Sequence, residues 1–178
     1  MDNLIFSTFT DYQIIVAFII AIIAFKYGDW RNWRLYYPTI LYFIIGDFLY
    51  NILTCNYRLW QYESPLLKST FSELLIVFVF YPSTILLYLP HFPRGLKKQI
   101  PYILLWVVIY STTEIISFNL GFFSYHNGWN ICWSILFNCF MFPLLWIHQK
   151  NPPLVWLSSF VIGSAVLIYF KVPLPFMK

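Results

Sequence analysis

Charged side chains are scarce in this sequence. Its 178 residues include 11 Lys and Arg and 7 Asp and Glu, which together make up 10% of the chain. A soluble domain carries about 25% charged residues, because it must present a wetted surface around its core. Hydrophobic residues account for 60% of the chain and aromatic residues for 23%, which also excludes a disordered polar chain. We therefore expect an integral membrane protein.

Several chemical motifs are also missing. The three cysteines, Cys55, Cys132 and Cys139, form no C-x-x-C pair, so the sequence predicts neither a disulfide framework nor a metal site. There is no P-loop, H-E-x-x-H, G-x-S-x-G or dinucleotide-binding glycine pattern. Their absence disfavours a conventional hydrolase, an ATP-driven enzyme or a bound cofactor. No run of Lys and Arg is longer than Lys97-Lys98, and we expect no nucleic-acid partner.

Apolar segments long enough to span a bilayer recur along the chain. A helical span needs roughly 20 mostly apolar residues, and six such segments fit within one domain of residues 1–178. The sequence therefore predicts an all-α, polytopic bundle of about six transmembrane helices. The predicted spans are about 12–27, 39–55, 72–89, 102–123, 130–147 and 154–170.

Four connecting segments are predicted as loops or turns, because they are rich in cations, polar residues, Pro or Asn-Gly. They are 28–38, 56–70, 90–101 and 124–129. Trp60 and Tyr62 are expected to lie at the membrane interface, where amphipathic rings concentrate. Pro82 stands near the middle of the third span, and we expect it to kink that helix.

The distribution of Lys and Arg predicts the orientation in the membrane. One side holds seven cations, Lys26, Arg31, Arg34, Arg94, Lys97, Lys98 and Lys150. The other side holds four, Arg58, Lys68, Lys171 and Lys178. The side richer in Lys and Arg usually faces the cytoplasm. We therefore expect both termini on the outer side.

Three polar side chains, Asp47, Glu114 and Asn138, stand near the middle of predicted spans. An acidic side chain at the bilayer centre costs roughly 2.5–3.5 kcal/mol on the insertion scale, so it should face the bundle interior with a partner. No Lys or Arg lies within a predicted span except at its ends. The two carboxyls must therefore be protonated, hydrogen-bonded, or neutralised by a bound cation or a cationic ligand.

Helical spacing gathers further polar residues around these three. Asn51 follows Asp47 at i, i+4, while Tyr110 and Ser117 share one face of the fourth span with Glu114. The candidate residues of a ligand or ion site are Asp47, Asn51, Tyr110, Glu114, Ser117 and Asn138. The alternative is that these groups only join helices to one another through interhelical hydrogen bonds.

Several aromatic and Pro-centred strings resemble those of a known family. They are Trp33–Thr39 (WRLYYPT), Leu59–Tyr62 (LWQY), Glu114 ahead of Tyr125–Trp129 (YHNGW), and Phe142–His148 (FPLLWIH) before Asn151–Pro152. In these strings the chain is similar to a family of small, functionally uncharacterised polytopic membrane proteins of spore-forming Gram-positive bacteria. The resemblance implies a multi-pass protein of the bacterial plasma membrane, and it assigns no catalytic residue.

Three functions stay open from the sequence. The first is binding or moving a proton, a cation or a small amphipath at the intramembrane polar residues. The second is an enzyme that acts on a lipid or isoprenoid, with a midplane carboxyl as general acid. The third is a non-catalytic partner that packs against a second copy or another membrane protein through span six, where Ser159 and Gly163 form a small-residue face. Membrane lipid is a partner in all three cases.

Overall fold

Helices make up most of the protein. The computed structural model describes residues 12–63 and 73–173, and it is 75% helical, which confirms the predicted helical class. Six α-helices and two short strands lie in the described ranges. The helices are α1 (Tyr12–Tyr27), α2 (Trp33–Leu53), α3 (Tyr81–Tyr88), α4 (Leu96–Asn119), α5 (Ile131–His148) and α6 (Pro152–Tyr169), and the strands are β1 (Trp60–Tyr62) and β2 (Phe123–Tyr125).

Three of these helices, α4, α5 and α6, are long and apolar enough to cross a membrane. Two shorter apolar helices accompany them, Ile14–Tyr27 within α1 and Glu73–Tyr88. The 24 residues of α4 extend for about 36 Å at 1.5 Å per residue, which exceeds the roughly 30 Å of a bilayer's hydrocarbon core. Lys68, Lys178 and residues 64–70 of the predicted polar stretch lie outside the described residues.

Two helices begin inside segments that the sequence predicted to be loops. α2 begins at Trp33, within the predicted loop 28–38, and α4 begins at Leu96, within the predicted loop 90–101. Both predictions were therefore wrong for the second half of the loop. The error came from reading a proline as the boundary of each helix.

Each of these two helices contains a proline as its sixth residue, Pro38 in α2 and Pro101 in α4. A proline at this position leaves the carbonyl four residues earlier, that of Arg34 or Lys97, without its helical partner. Arg34 and Lys97 are both exposed, so solvent can satisfy the carbonyl at the helix start. A proline near the start of a helix is tolerated for this reason.

The helix Glu73–Tyr88 is irregular where the sequence predicted a kink. Ile76–Phe80 is π-helical, and α3 follows it directly with Pro82 as its second residue. Pro82 has no backbone N–H to donate, and its ring crowds the carbonyl of Phe78. Regular α-helical hydrogen bonding cannot pass through this point, and the wider π turn accommodates the proline.

A buried aromatic core lies where α3, α4 and α5 meet. Tyr88 and Phe142 are both fully buried, and their rings make an edge-to-face contact with centroids 5.2 Å apart. The Tyr88 hydroxyl donates to the Phe142 carbonyl at 3.0 Å, and the Tyr102 hydroxyl donates to the Tyr88 carbonyl at 2.9 Å. The polar groups of this aromatic core are thereby paired, as burial requires.

A two-stranded antiparallel ribbon lies beyond the ends of α2 and α4. Its register pairs Trp60 with Tyr125, Gln61 with Ser124 and Tyr62 with Phe123. The sequence predicted an interfacial stretch and a turn at these positions and missed both strands. Each strand reads aromatic, polar, aromatic, so its two rings share one face of the ribbon.

Candidate functional site

A cavity of about 600 Å³ lies between the helices. Its wall is built mainly by α2, α4, α5 and α6, with Ile76 and Phe80 of the π-helical turn and Trp60 and Tyr62 of the ribbon. Asp47 of α2 and Glu114 of α4 both line it, so the two acids share one cavity. A volume between about 300 and 1,000 Å³ is usual for a small-molecule site.

The predicted site residues divide between this cavity and a small void beside it. Those that line the cavity are Asp47, Tyr110, Glu114, Ser117 and Asn138. Asn51 instead borders the void, which has about 10 Å³ and is also lined by Asp47 and Glu73. That volume is about what one water molecule needs. Asp47 therefore faces both spaces.

The Asp47 carboxyl is held by two neutral donors. The Tyr81 hydroxyl donates to Oδ1 at 2.8 Å, and the Asn51 Nδ2 donates to Oδ2 at 3.1 Å. The Tyr81 ring stacks on Phe43, with centroids 4.0 Å apart, which fixes the direction of its hydroxyl. Asn51 lies one helical turn after Asp47, so the i, i+4 spacing read from the sequence corresponds to a real contact.

The Glu114 carboxyl is held in a similar way from the ribbon. The Tyr125 hydroxyl donates to Oε1 at 2.7 Å, and its ring stacks on Phe118 with centroids 4.9 Å apart. The Ser134 hydroxyl, which also lines the cavity, accepts from the Trp129 Nε1 at 2.9 Å. Glu114, like Asp47, is thus bound by a neutral donor.

Two ribbon tyrosines lie close to the acids and stay protonated. Burial raises the pKa of the Tyr62 phenol well above its ordinary value, and the charges of Asp47 and Glu114 raise it further. Burial and the hydrogen bond to Glu114 raise the pKa of the Tyr125 phenol. Because an ionised phenol beside a carboxylate would be repelled, both phenols are neutral at ordinary pH, and Tyr125 donates its hydrogen bond to Glu114 in this form.

The other polar groups of the cavity wall differ in whether they have hydrogen-bond partners. The Tyr110 hydroxyl donates to the Thr84 Oγ1 at 2.7 Å. Asn138 is buried in α5. Ser117 is 4% exposed, and within the described part of the chain its hydroxyl has no hydrogen-bond partner. An unpaired buried hydroxyl costs about 1–3 kcal/mol.

One ion pair lies near the ribbon. Arg58 Nη1 and Glu73 Oε1 form an ion pair at 2.5 Å, and Glu73 borders the small void beside Asp47. The Arg58 guanidinium is therefore paired with the Glu73 carboxylate. Asp47 keeps Tyr81 and Asn51 as its direct partners.

A second hydrogen-bonded cluster joins three helices toward the other end of the cavity. Tyr42 of α2 bonds through its hydroxyl to Ser159 Oγ of α6 at 2.6 Å, and its ring stacks on His148 of α5 with centroids 4.4 Å apart. His148 is buried and bonds through Nδ1 to Thr39 Oγ1 at 3.0 Å. The small-residue face of α6 therefore contacts α2 at Ser159 and lines the cavity at Gly163.

The cavity has acidic groups but no basic ones among the residues that the structure describes. Neither Lys nor Arg lines it there. In the same ranges, no group of three His, Cys, Asp or Glu is placed to hold a metal ion. Its polar side-chain groups besides the two acids are hydroxyls, indole N–H groups and the amide of Asn138, and these are neutral.

Three tyrosines at the site, Tyr62, Tyr81 and Tyr125, were not predicted. Tyrosine near the end of a span or in a connecting segment is typical of the membrane interface, and that interpretation concealed the positions of Tyr62 and Tyr125 near the acids. The alternation of WQY and FSY was the available signal for the ribbon. For Tyr81 there was none, because the π turn before it changes the face that it occupies.

Comparison with known proteins found no match: no protein-family model, no curated protein and no solved structure matches the chain. The geometry of the cavity is therefore the basis for the function proposed below.

Proposed function

We propose that this chain is a multi-pass protein of the bacterial plasma membrane that binds a small amphipathic molecule in the cavity between its helices. The observation that carries the proposal is that Asp47 and Glu114 line one cavity whose remaining wall is mostly apolar and aromatic. Such a pocket accepts an apolar body, while a few polar groups orient the head. The bacterial membrane is inferred from the family resemblance.

The outer surface supports insertion in a membrane. Large apolar side chains are exposed on its helices, with Phe25 at 82%, Ile168 at 77% and Ile22 at 66%. Extended exposed apolar surface is unfavourable in water, whereas lipid chains solvate it. In the proposed arrangement six helical segments cross the bilayer, Glu73–Tyr88 counting as one of them, and both termini face outward.

This topology predicts opposite sidedness for the two ends of α4. We expect a cysteine at Arg94 to react with a membrane-impermeant thiol reagent only after the cells are opened, and a cysteine at His126 to react in intact cells. The physical reason is the length of α4, which separates these positions by more than a hydrocarbon core. The three native cysteines are first replaced by serine. Labelling of both positions from the same side would contradict the six-span arrangement.

A bulky side chain inside the cavity is expected to block binding. Gly163 lines the cavity, and a Cβ at this position would meet nothing within 4 Å, so Gly163→Trp can place its indole in the open space. We expect at least a roughly tenfold loss of affinity, because the indole removes the volume that the apolar body needs. The measurement is the saturable fluorescence of N-phenyl-1-naphthylamine bound to the purified protein in nanodiscs.

Ala165 provides the matched control on the same helix. It is exposed and does not line the cavity, so Ala165→Trp adds the same side chain to the outer surface. We expect this variant to bind the probe as the unmodified protein does. Unchanged binding by Gly163→Trp, with equal expression and thermal stability, would place the probe elsewhere and contradict the proposal.

A further inference from the structure

We propose that the molecule bound in this cavity carries a cationic head group, an amine or a quaternary ammonium, that lies between Asp47 and Glu114. This inference rests on the proposed function, because it names the chemical class of the amphipath. It follows from the charge of the cavity, from the aromatic residues in its wall and from its open side.

The charge of the cavity favours a cation. Asp47 and Glu114 are each bound by neutral donors, which supply hydrogen bonds but no positive charge. Within the described residues, no Lys or Arg lines the cavity to neutralise them. The nearby Arg58 is paired with Glu73. An anionic ligand would meet two carboxylates and no countercharge, whereas a cation supplies the missing one.

The wall around the acids suits an organic cation better than a bare ion. Aromatic side chains attract cations through their ring faces, and the attraction grows when water is excluded. The aromatic residues that line the cavity are Tyr42, Phe43, Tyr50, Trp60, Tyr62, Phe80, Tyr81, Tyr110, Phe123, Trp129, Phe137, Phe140, Trp156 and Phe160. A small hydrated ion would fill little of about 600 Å³, while an amphipath with an apolar body would bury that surface.

The open side of the cavity allows the apolar body to reach the lipid. Gly46 of α2 and Gly163 of α6 both line the cavity and are exposed. A Cβ at either position would meet nothing within 4 Å. Gly46 directly precedes Asp47 in α2, and both residues line the cavity. A ligand can therefore hold its head at the acids while its body extends between α2 and α6.

Two aromatic probes that differ in charge test the inference. Tetraphenylphosphonium is a cation, and triphenylphosphine oxide is a neutral molecule of related shape. We expect saturable binding of the cation to the purified full chain, at least about tenfold tighter than that of the neutral probe, because a close charge pair in a water-poor site is worth that much or more. Equilibrium dialysis with radiolabelled probes measures both affinities.

Amide variants separate charge from shape. We expect Asp47→Asn and Glu114→Gln each to weaken tetraphenylphosphonium binding about tenfold and to leave binding of the neutral probe unchanged. Asp29→Asn is the matched control, since Asp29 lies in the turn before α2 and does not line the cavity. We expect it to bind both probes as the unmodified protein does.

The outcomes distinguish this inference from the proposed function. Suppose that the two probes bind with equal affinity and that Gly163→Trp abolishes the binding of both. This result would overturn the inference that the ligand is a cation, while the proposal that the cavity binds an amphipath would stand. Loss of the cation from Asp29→Asn as well would show an effect of net charge alone and would also overturn it. Absence of saturable binding of either probe, or binding that Gly163→Trp does not change, would overturn the inference and the proposed function together.

Discussion

Replacing Phe142 by alanine is expected to lower the free energy of unfolding by about 3–5 kcal/mol. Phe142 is fully buried, and its ring contacts those of Tyr88, Trp106 and Tyr110, with centroid distances of 5.2, 5.9 and 4.9 Å. The substitution removes this contact surface and leaves a void among rings held by the backbones of three helices. Unfolding of the purified protein by SDS, followed by tryptophan fluorescence, measures the change.

Phe25 provides a matched control for this substitution. It lies in α1 and is 82% exposed, so Phe25→Ala removes the same ring from the outer surface. We expect a change below about 0.5 kcal/mol. Equal losses in the two variants would mean that the side chain at Phe142 is no better packed than one on the surface, and would contradict the described contact of α3, α4 and α5.

The helical architecture could be predicted where apolar runs have clear ends. α1 has the bounds read from the sequence, and α5 and α6 begin and end within two residues of them. The starts of α2 and α4 could not be placed in this way, because a proline near a helix start is compatible with both a loop and a helix. Local sequence cannot distinguish a loop from a helix here, because solvent can hydrogen-bond to the carbonyl that the proline leaves unpaired.

The ribbon illustrates a different limit. Its strands have three residues each and pair positions more than 60 residues apart, as in Trp60 with Tyr125. Segments so short have too few residues for a period-2 pattern to stand out from chance. The stability of such a pair depends on what its rings pack against, and that surface is formed by distant helices.

The candidate site was predictable in part, because the energetic cost of a buried charge restricts where it can lie. Asp47 and Glu114 were selected from the sequence by that cost, and Asn51 by helical spacing. The donor Tyr81 begins the helix that follows the π-helical turn, and the donor Tyr125 belongs to the ribbon. No rule of local spacing brings them to the acids, so their roles emerge only from the tertiary arrangement.

One hydroxyl, that of Tyr50, joins β1 of the ribbon to α2, and its removal is expected to have the second large effect. The Tyr50 hydroxyl donates to the Trp60 carbonyl at 2.7 Å and accepts from the backbone N–H groups of Trp60 and Leu59 at 2.8 and 3.1 Å. Its ring stacks on Trp60 with centroids 3.7 Å apart. Tyr50→Phe keeps the stacking and leaves two backbone donors and one acceptor without this partner.

We expect Tyr50→Phe to lower the free energy of unfolding by about 2–4 kcal/mol, since each unpaired buried group costs about 1–3 kcal/mol and some of these will be reached by water. Deuterium exchange should rise in a peptide that covers Leu59–Tyr62, because the local opening that exposes these amides becomes easier.

Tyr37→Phe is the matched control, because Tyr37 lies near the start of the same helix and is 47% exposed. Exchange in Leu59–Tyr62 that is no faster in Tyr50→Phe than in this control would mean that the ribbon is anchored without the hydroxyl. Faster exchange together with weaker probe binding would instead tie the ribbon to the cavity that Trp60 and Tyr62 line.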